Sequence, residues 1–302
     1  MNDGEHMTQG RIQKALSGFY YVQTKAYGVV CCRGRGRLRH ERITPLVGDR
    51  VELTYQGDDT GRVDAVLPRI NQFHRPMVAN IQQMVIVASG AIPATDPYLI
   101  DRMTALAEWK SCTPIICFNK CDLRRMDDLA AVYEKAGFHT LQISAETGEG
   151  MDGLASLLRG KVSAFTGNSG VGKSSILNTL HPGFSLRVGE VSEKLGRGRH
   201  TTRHVELFPV CGGLVADTPG FSSLDAEEME QVPKEELAQT FREFAPYSDQ
   251  CRFSSCAHYK ERGCAVRDAV GSGLISPSRY QNYIRMYEQA MAQKSWERHG
   301  KH

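Results

Sequence analysis

Nowhere in the 302 residues does an apolar run approach the ~18 needed to cross a bilayer. The longest with strand character, Met84-Val85-Ile86-Val87-Ala88, is far too short, so no membrane partner is expected. The first ten residues, Met1 to Gly10, are polar and lack the apolar core of a secretory signal, which predicts a cytoplasmic location. With no export expected, the nine cysteines read as reduced thiols or metal ligands. A strong charge excess is also missing, and a net +3 does not by itself indicate a nucleic-acid partner. The charge is uneven, however: Arg33, Arg35, Arg37, Arg39 and Arg42 crowd one short segment, as a solvated strand face or as a basic contact. Internal repeats and low-complexity tracts are absent. What is present is ordinary globular composition, 41% apolar and 24% charged, in a chain long enough for two or three domains.

From about Gly18 to Pro68 the chain carries short strand-like runs, Phe19 to Val22, Gly28 to Cys32 and Asp49 to Leu53, punctuated by Gly34, Gly36, Gly48 and Gly57. This predicts a small all-β unit of OB type, although an SH3-like barrel would read similarly. Residues 69–80, with Pro68 and Pro76 near their ends, read as a linker. From Ile81 apolar strands alternate with amphipathic helices: strands at 84–88, 114–118, 140–143, 162–165, 205–208 and 214–216, and helices at 99–110, 128–136, 151–158 and 173–180. That alternation predicts a doubly wound α/β sheet. The remainder is acidic, then Cys-rich, then helical from Pro277 to Trp296. The expected division is a barrel over 1–68, the linker 69–80, an α/β domain over 81–222 and an α-rich metal-binding domain over 223–302.

Gly167-Asn168-Ser169-Gly170-Val171-Gly172-Lys173-Ser174 matches the phosphate-loop pattern in full and lies between a predicted strand and a predicted helix. The glycines let successive amide N–H groups point inward at phosphate oxygens, Lys173 bridges the terminal phosphates, and the helix N-terminus adds its dipole. Ser174, followed by Ser175, is placed to complete a Mg²⁺ shell with its hydroxyl. Asn119-Lys120-Cys121-Asp122 follows another strand. Its Asp122 carboxylate can accept from both donors of the guanine edge, which adenine does not offer, while Asn119 and Lys120 brace the loop and cover the base. Ser144-Ala145 can turn a backbone N–H toward the guanine carbonyl, and in Asp217-Thr218-Pro219-Gly220 the carboxylate can hold Mg²⁺ through water while the Gly220 amide senses the γ-phosphate. Four such strings, each after a strand, indicate GTP and GDP as ligands.

Their order is unusual. The guanine strings precede the phosphate loop, which is followed by His200-Thr201-Thr202-Arg203 and then Asp217 to Gly220. This circularly permuted order, with a β-barrel ahead and a Cys/His cluster behind, resembles the ribosome small-subunit-dependent GTPase A family. Pro45-Leu46-Val47-Gly48-Asp49, Leu195 to Arg203 and Cys251-Arg252-Phe253 add to the likeness, which runs from about Gly18 onward. A departure is Glu261-Arg262-Gly263-Cys264, where the family commonly has proline before the glycine. The resemblance implies a GTP hydrolase that binds the small (30S) ribosomal subunit and its rRNA and acts late in the subunit's maturation; a monomer is expected. The other reading is a GTP-gated RNA-binding timer acting on another RNA or ribonucleoprotein.

Many GTPases orient the attacking water with a glutamine after DxxG; here that place is Phe221, which predicts slow unassisted turnover, roughly 10⁻³ s⁻¹ or below. His200 can orient the water instead, or serve as a basic-loop residue on RNA. Thr202 is the expected switch ligand of Mg²⁺, with Thr201 as the alternative, and Lys173 and Thr202 join His200 as catalytic candidates. Because Asp217 to Gly220 leads directly into the last domain, a γ-phosphate ordering this loop is expected to fix that domain against the core. Cys251, Cys256, His258 and Cys264 supply three thiolates and one imidazole, the donor set of a closed structural site for one Zn²⁺, although no C-x₂-C spacing is present. The other cysteines fall in strand-like runs and read as buried apolar residues. The family likeness favours RNA contact for the Arg33 to Arg42 run, with Tyr20, Tyr21 and Tyr27 able to stack on bases or to pack inward.

Overall fold

Strand β1 (His6–Leu16) is long enough to serve two neighbours: its first half pairs with β4 (Arg50–Gly57) and its second with β2 (Phe19–Thr24). Gly10 sits at the changeover, where a Cβ would come within 2.5 Å of the Val22 side chain. With β3 (Val29–Gly34) and β5 (Thr60–Val66) the strands close in the order β1-β2-β3-β5-β4, with β3 and β5 parallel. This is the OB arrangement, and alternate residues such as Ile12, Val22, Val30, Val51, Leu53 and Val63 fill its interior. The computed structural model of the chain describes residues 6–36, 43–74, 76–181, 183, 205–217 and 230–299, with only the backbone of 217 and of 293–299.

The described residues of the segment read as a linker carry structure of their own. Strands β6 (Gln72–His74) and β7 (Met77–Ala79) form a hairpin whose Phe73 and Val78 are buried. The Pro45-to-Asp49 string is the seam between barrel and hairpin. Gly48 (φ +94°) lies where a Cβ would strike the Ala79 carbonyl at 1.9 Å. Asp49, fully buried, accepts from the Leu46 N–H at 2.8 Å and from Arg69 Nε and Nη2 at 2.8 and 2.7 Å.

Strands β8 (Gln83–Ser89), β9 (Thr113–Asn119), β10 (His139–Gln142), β11 (Val162–Thr166), β12 (Glu206–Val210) and β13 (Gly213–Asp217) form a sheet in the order β10-β9-β8-β11-β13-β12. All pairs are parallel except β12 with β13. Every residue of β8 is buried, as a central strand covered on both faces requires. A single β1–β12 bridge, with Lys14 Nζ 2.8 Å from Glu206 Oε2, joins sheet and barrel. Helices α1 (Pro97–Trp109), α2 (Asp127–Lys135), α3 (Met151–Leu158) and α4 (Lys173–Leu180) connect the strands. Proline opens α1, and the Asp96 side chain caps it by accepting from the Tyr98 N–H at 2.9 Å.

The C-terminal region holds the short helices α5 (Lys234–Leu237), α6 (Ala245–Ser248) and α7 (Ala265–Gly271) and the long α8 (Pro277–His299). Leu237, Phe241, Phe244, Tyr283 and Met286 form one apolar cluster with Tyr98 and Ala105 of α1. This apolar cluster joins the region to the core through α1, while residues 218–229, on which the nucleotide-ordered loop was expected, lie outside the described residues. Arg279 of α8 is 2% exposed and donates to Asp101 of α1 at 2.5 Å and to Glu243. Asp101 also receives Tyr133 Oη at 2.8 Å and Asn282 Nδ2 at 2.6 Å. Arg242 reaches Glu108 at 2.6 Å, and Trp109 Nε1 reaches Glu236 at 2.8 Å.

Candidate nucleotide site and metal cluster

At the carboxyl edge of the parallel strands, Gly167 to Gly172 turns from β11 into α4. Glycine is required at its two ends. A Cβ on Gly167 (φ +142°) would lie 2.1 Å from the Val87 carbonyl oxygen, and one on Gly172 (φ +99°) 2.2 Å from Asn119 Nδ2. Lys173 is buried, and its Nζ donates to the carbonyls of Gly167 at 2.7 Å and Asn168 at 2.8 Å. Burial lowers its pKa to about 8. Ser174 and Ser175 stand half-buried in the first turn of α4, Val171 is buried, and Ser169 and Gly170 are exposed. A glycine-bounded loop with the Lys173 cation held against its carbonyls fits a phosphate chain.

Asn119 ends β9 and is 2% exposed. Its Nδ2 donates to the Val171 carbonyl at 2.8 Å, and its Oδ1 accepts from the Ala145 N–H at 3.1 Å. One side chain thus ties the phosphate loop to the loop after β10. The Ala145 N–H, read as able to face a guanine carbonyl, is committed to Asn119 in this conformation. Ser144 is buried and its Oγ accepts from the Thr147 N–H at 3.1 Å. Lys120 (φ +64°) turns left-handed and rests its Nζ on the Ile92 carbonyl at 3.1 Å, while Asp122 is exposed at the mouth. His200, Thr201, Thr202, Gly220 and the side chain of Asp217 lie outside the described residues.

The loop between β8 and α1 escaped the sequence reading. Its Thr95 donates to Asn168 Oδ1 at 2.7 Å, and Pro93 covers Gly170 so closely that a Cβ there would come within 2.9 Å. No motif marks these residues; their place directly after a buried strand was the available signal.

Beyond the sheet, ligand atoms of Cys251, Cys256, His258 and Cys264 all lie within 4.8 Å of one another. His258 Nδ1 is 3.6 Å from Cys251 Sγ and 3.5 Å from Cys264 Sγ, and those sulfurs are 4.0 Å apart. Tetrahedral Zn²⁺ with its usual bond lengths sets these separations at about 3.6 Å and about 3.8 Å, so the cluster could hold zinc. One tautomer suits this arrangement. Ser248 Oγ donates to the Phe244 carbonyl at 3.0 Å and faces His258 Nε2 at 3.3 Å, which suits an Nε2–H donor to Ser248 with Nδ1 turned to the sulfurs as the ligand atom. Glu261, read only as part of a turn, accepts from the N–H groups of Ala257, Tyr259 and Lys260 at 3.1, 2.8 and 3.0 Å and braces the ligand loop.

Of the remaining cysteines, Cys32, Cys112, Cys117 and Cys121 are buried and Cys31 and Cys211 half-buried, with burial pushing the Cys32 and Cys117 thiols up to about 12. On the barrel, Arg33 stacks over Phe19 at 4.8 Å, and Tyr27 stacks on Tyr55 at 4.0 Å, half-buried against the core. Arg37, Arg39 and Arg42 lie outside the described residues. Among the described residues no helix is long and apolar enough to cross a membrane.

A phosphate loop after β11 and a guanine-type loop after β9, on either side of β8 and with the guanine loop earlier in the chain, define a circularly permuted P-loop GTPase carrying an N-terminal OB barrel. A family model described as "RsgA GTPase" matches residues 66–227, and one described as "RsgA N-terminal domain" matches 9–63. The chain belongs to the RsgA GTPase family and is a GTP hydrolase. It is 46% identical over 280 residues to the "Small ribosomal subunit biogenesis GTPase RsgA" of Caldanaerobacter subterraneus subsp. tengcongensis, covering 91% of this chain and 93% of that one. Among solved structures, YjeQ from Thermotoga maritima superposes with a TM-score of 0.82 at 35% identity, covering 95% of this chain and 99% of that one. YloQ, titled a circularly permuted GTPase, gives 0.78 at 36% identity, with 95% and 96% covered.

Proposed function

We propose that this GTPase acts on the small ribosomal subunit, binding it and hydrolysing GTP during its maturation. The name carried by relatives at 46% identity supports the ribosomal part. The observation that carries the nucleotide part is Asn119, whose one amide joins the phosphate loop to the loop bearing Ser144 and Ala145.

In this reading Asp122 selects guanine, Asn119, Lys120, Ser144 and Ala145 frame the base, and residues 167–175 cradle the phosphates. Lys173 leaves its two carbonyls to meet the terminal phosphates. Ser174 and Thr202 would hold Mg²⁺, with Asp217 behind water, and Gly220 reads the γ-phosphate. The metal supplies charge neutralisation along the phosphates when bound. His200 orients the attacking water, and Phe221 leaves unassisted turnover slow. Cys251, Cys256, His258 and Cys264 would hold one Zn²⁺ as a structural ion. The barrel over 1–68 and its Arg33 to Arg42 run contact RNA, the α/β domain spans 81–222, and the metal-binding domain spans 223–302.

GTP turnover by the purified chain, alone and with small ribosomal subunits, tests both parts, with ATP as control. Stimulation confined to GTP is the expected result. Turnover of GTP that small subunits leave unchanged overturns the ribosomal part alone.

A further inference from the structure

We infer that Thr95, on the loop between β8 and α1, is a positioning residue of the nucleotide site, acting on the phosphate loop through Asn168. This rests on the reading of residues 167–175 as the phosphate cradle.

Thr95 is fixed before it touches the loop. Its N–H donates to the Ser89 carbonyl at 2.8 Å, and its Oγ1 accepts from the Ser89 N–H at 3.0 Å. Ser89 is fully buried and ends β8, which is hydrogen-bonded to β11, the strand that leads into Gly167. With one lone pair taken by Ser89, the Thr95 hydroxyl proton goes to Asn168 Oδ1 at 2.7 Å. Thr95 is 7% exposed, so this bond is shielded from water. Asn168 is the second residue of the cradle, and its carbonyl is one of the two that hold Lys173. The same β8–α1 loop touches the site twice more, through Pro93 on Gly170 and through the Ile92 carbonyl under Lys120.

A clamp on Asn168 keeps the cradle curved before ligand arrives, so less ordering is needed on binding. It acts on bound GDP and GTP alike, because it touches neither the γ-phosphate nor the base. Its loss should raise KM and leave kcat nearly unchanged, the pattern of uniform binding.

The test measures GDP and GTP affinity with fluorescent analogues for the wild type, Thr95→Val, Thr95→Ser, Asn168→Ala and the Thr95→Val/Asn168→Ala double variant. Thr95→Val keeps the shape and removes the hydroxyl; about tenfold weaker binding of both nucleotides is expected, with Thr95→Ser close to wild type. In the Asn168→Ala background Thr95→Val should add nothing, a non-additivity that a purely structural role does not produce. Unchanged affinity in Thr95→Val, or an equal loss in both backgrounds, overturns the clamp. Should Thr95→Val fail to fold, Asn168→Ala alone decides, since undiminished affinity there is incompatible with the clamp. A wild type that binds no guanine nucleotide sinks the cradle reading itself. Wild-type binding lost in Lys173→Ala but kept in Thr95→Val sinks only this inference.

Discussion

Arg279 of α8 and Asp101 of α1 are 2% and 1% exposed and meet at 2.5 Å, so the C-terminal region is joined to the nucleotide sheet by a charge pair shut away from water. Burial works against the charge on Arg279, but Asp101 and Glu243 outweigh it and hold the guanidinium above its usual pKa. Its plane also lies 4.9 Å from the Phe241 ring and 5.0 Å from that of Phe138. Arg279→Met keeps the stem and leaves two carboxylates buried near one another. The expected loss is about 3–5 kcal/mol in urea unfolding. A loss within about 0.5 kcal/mol would place this pair with surface contacts and remove its structural role.

The base-reading loop separates into specificity and support. Asp122→Asn should turn preference from guanine toward xanthine nucleotides with the fold unchanged. Asn119→Ala should instead weaken every nucleotide by about tenfold or more, since it leaves the Val171 carbonyl and the Ala145 N–H unpaired. Competition binding with GDP, XDP and ADP distinguishes the two. Identical effects of both variants would contradict the division of roles.

The pH dependence of binding follows from Lys173, whose burial puts its pKa at about 8. Phosphates favour the ammonium, so the bound state retains its proton to higher pH. Below that value both states are charged and affinity is flat. As pH rises through it, binding must take up a proton, and affinity falls toward about tenfold per pH unit. Calorimetry between about pH 7 and about pH 8.5, in buffers of different ionisation enthalpy, reads the uptake directly. Absence of proton uptake at the higher pH means Lys173 is already charged in the free protein.

For the metal cluster, freshly purified protein should carry close to one zinc per chain, and Cys264→Ala should lose it. Ser248→Ala should keep the four donors but weaken zinc about tenfold in chelator competition, since it removes the acceptor that fixes the His258 tautomer. Equal zinc affinity in Ser248→Ala would show that the ring is oriented by packing, for instance by Phe244, whose ring centre lies 5.7 Å away.

The α/β core was legible because its signals are local. The apolar run at Met84 to Ala88 and the amphipathic stretch beginning near Leu99 read directly as β8 and α1, with ends displaced by a residue or two. Strand β1 was not legible. Most of its residues are polar or charged and only Ile12 is fully buried, so no alternation announces it, and half of its length pairs with β4, which follows much later. The hairpin at 72–79 was hidden by Pro76 and by its length, three residues in each strand. Within the site, Gly167, Asn168, Lys173, Asn119 and Asp122 declared themselves by spacing, because close backbone approach and the guanine edge admit few residue types. Thr95 did not, since a hydroxyl can serve any neighbour.

Residue identities alone thus determined the ligand class, the permuted loop order and the composition of the Cys/His cluster, each encoded in a short stretch of residues with tightly restricted chemistry. Tertiary structure decided which partners meet. Asp101 finds Arg279 across 178 positions, Asn119 finds Val171 across 52, and Thr95 finds Asn168 across 73. Such pairs leave no periodic trace, because what selects them is the packing of strands and helices that brings two distant stretches of chain into the same buried space.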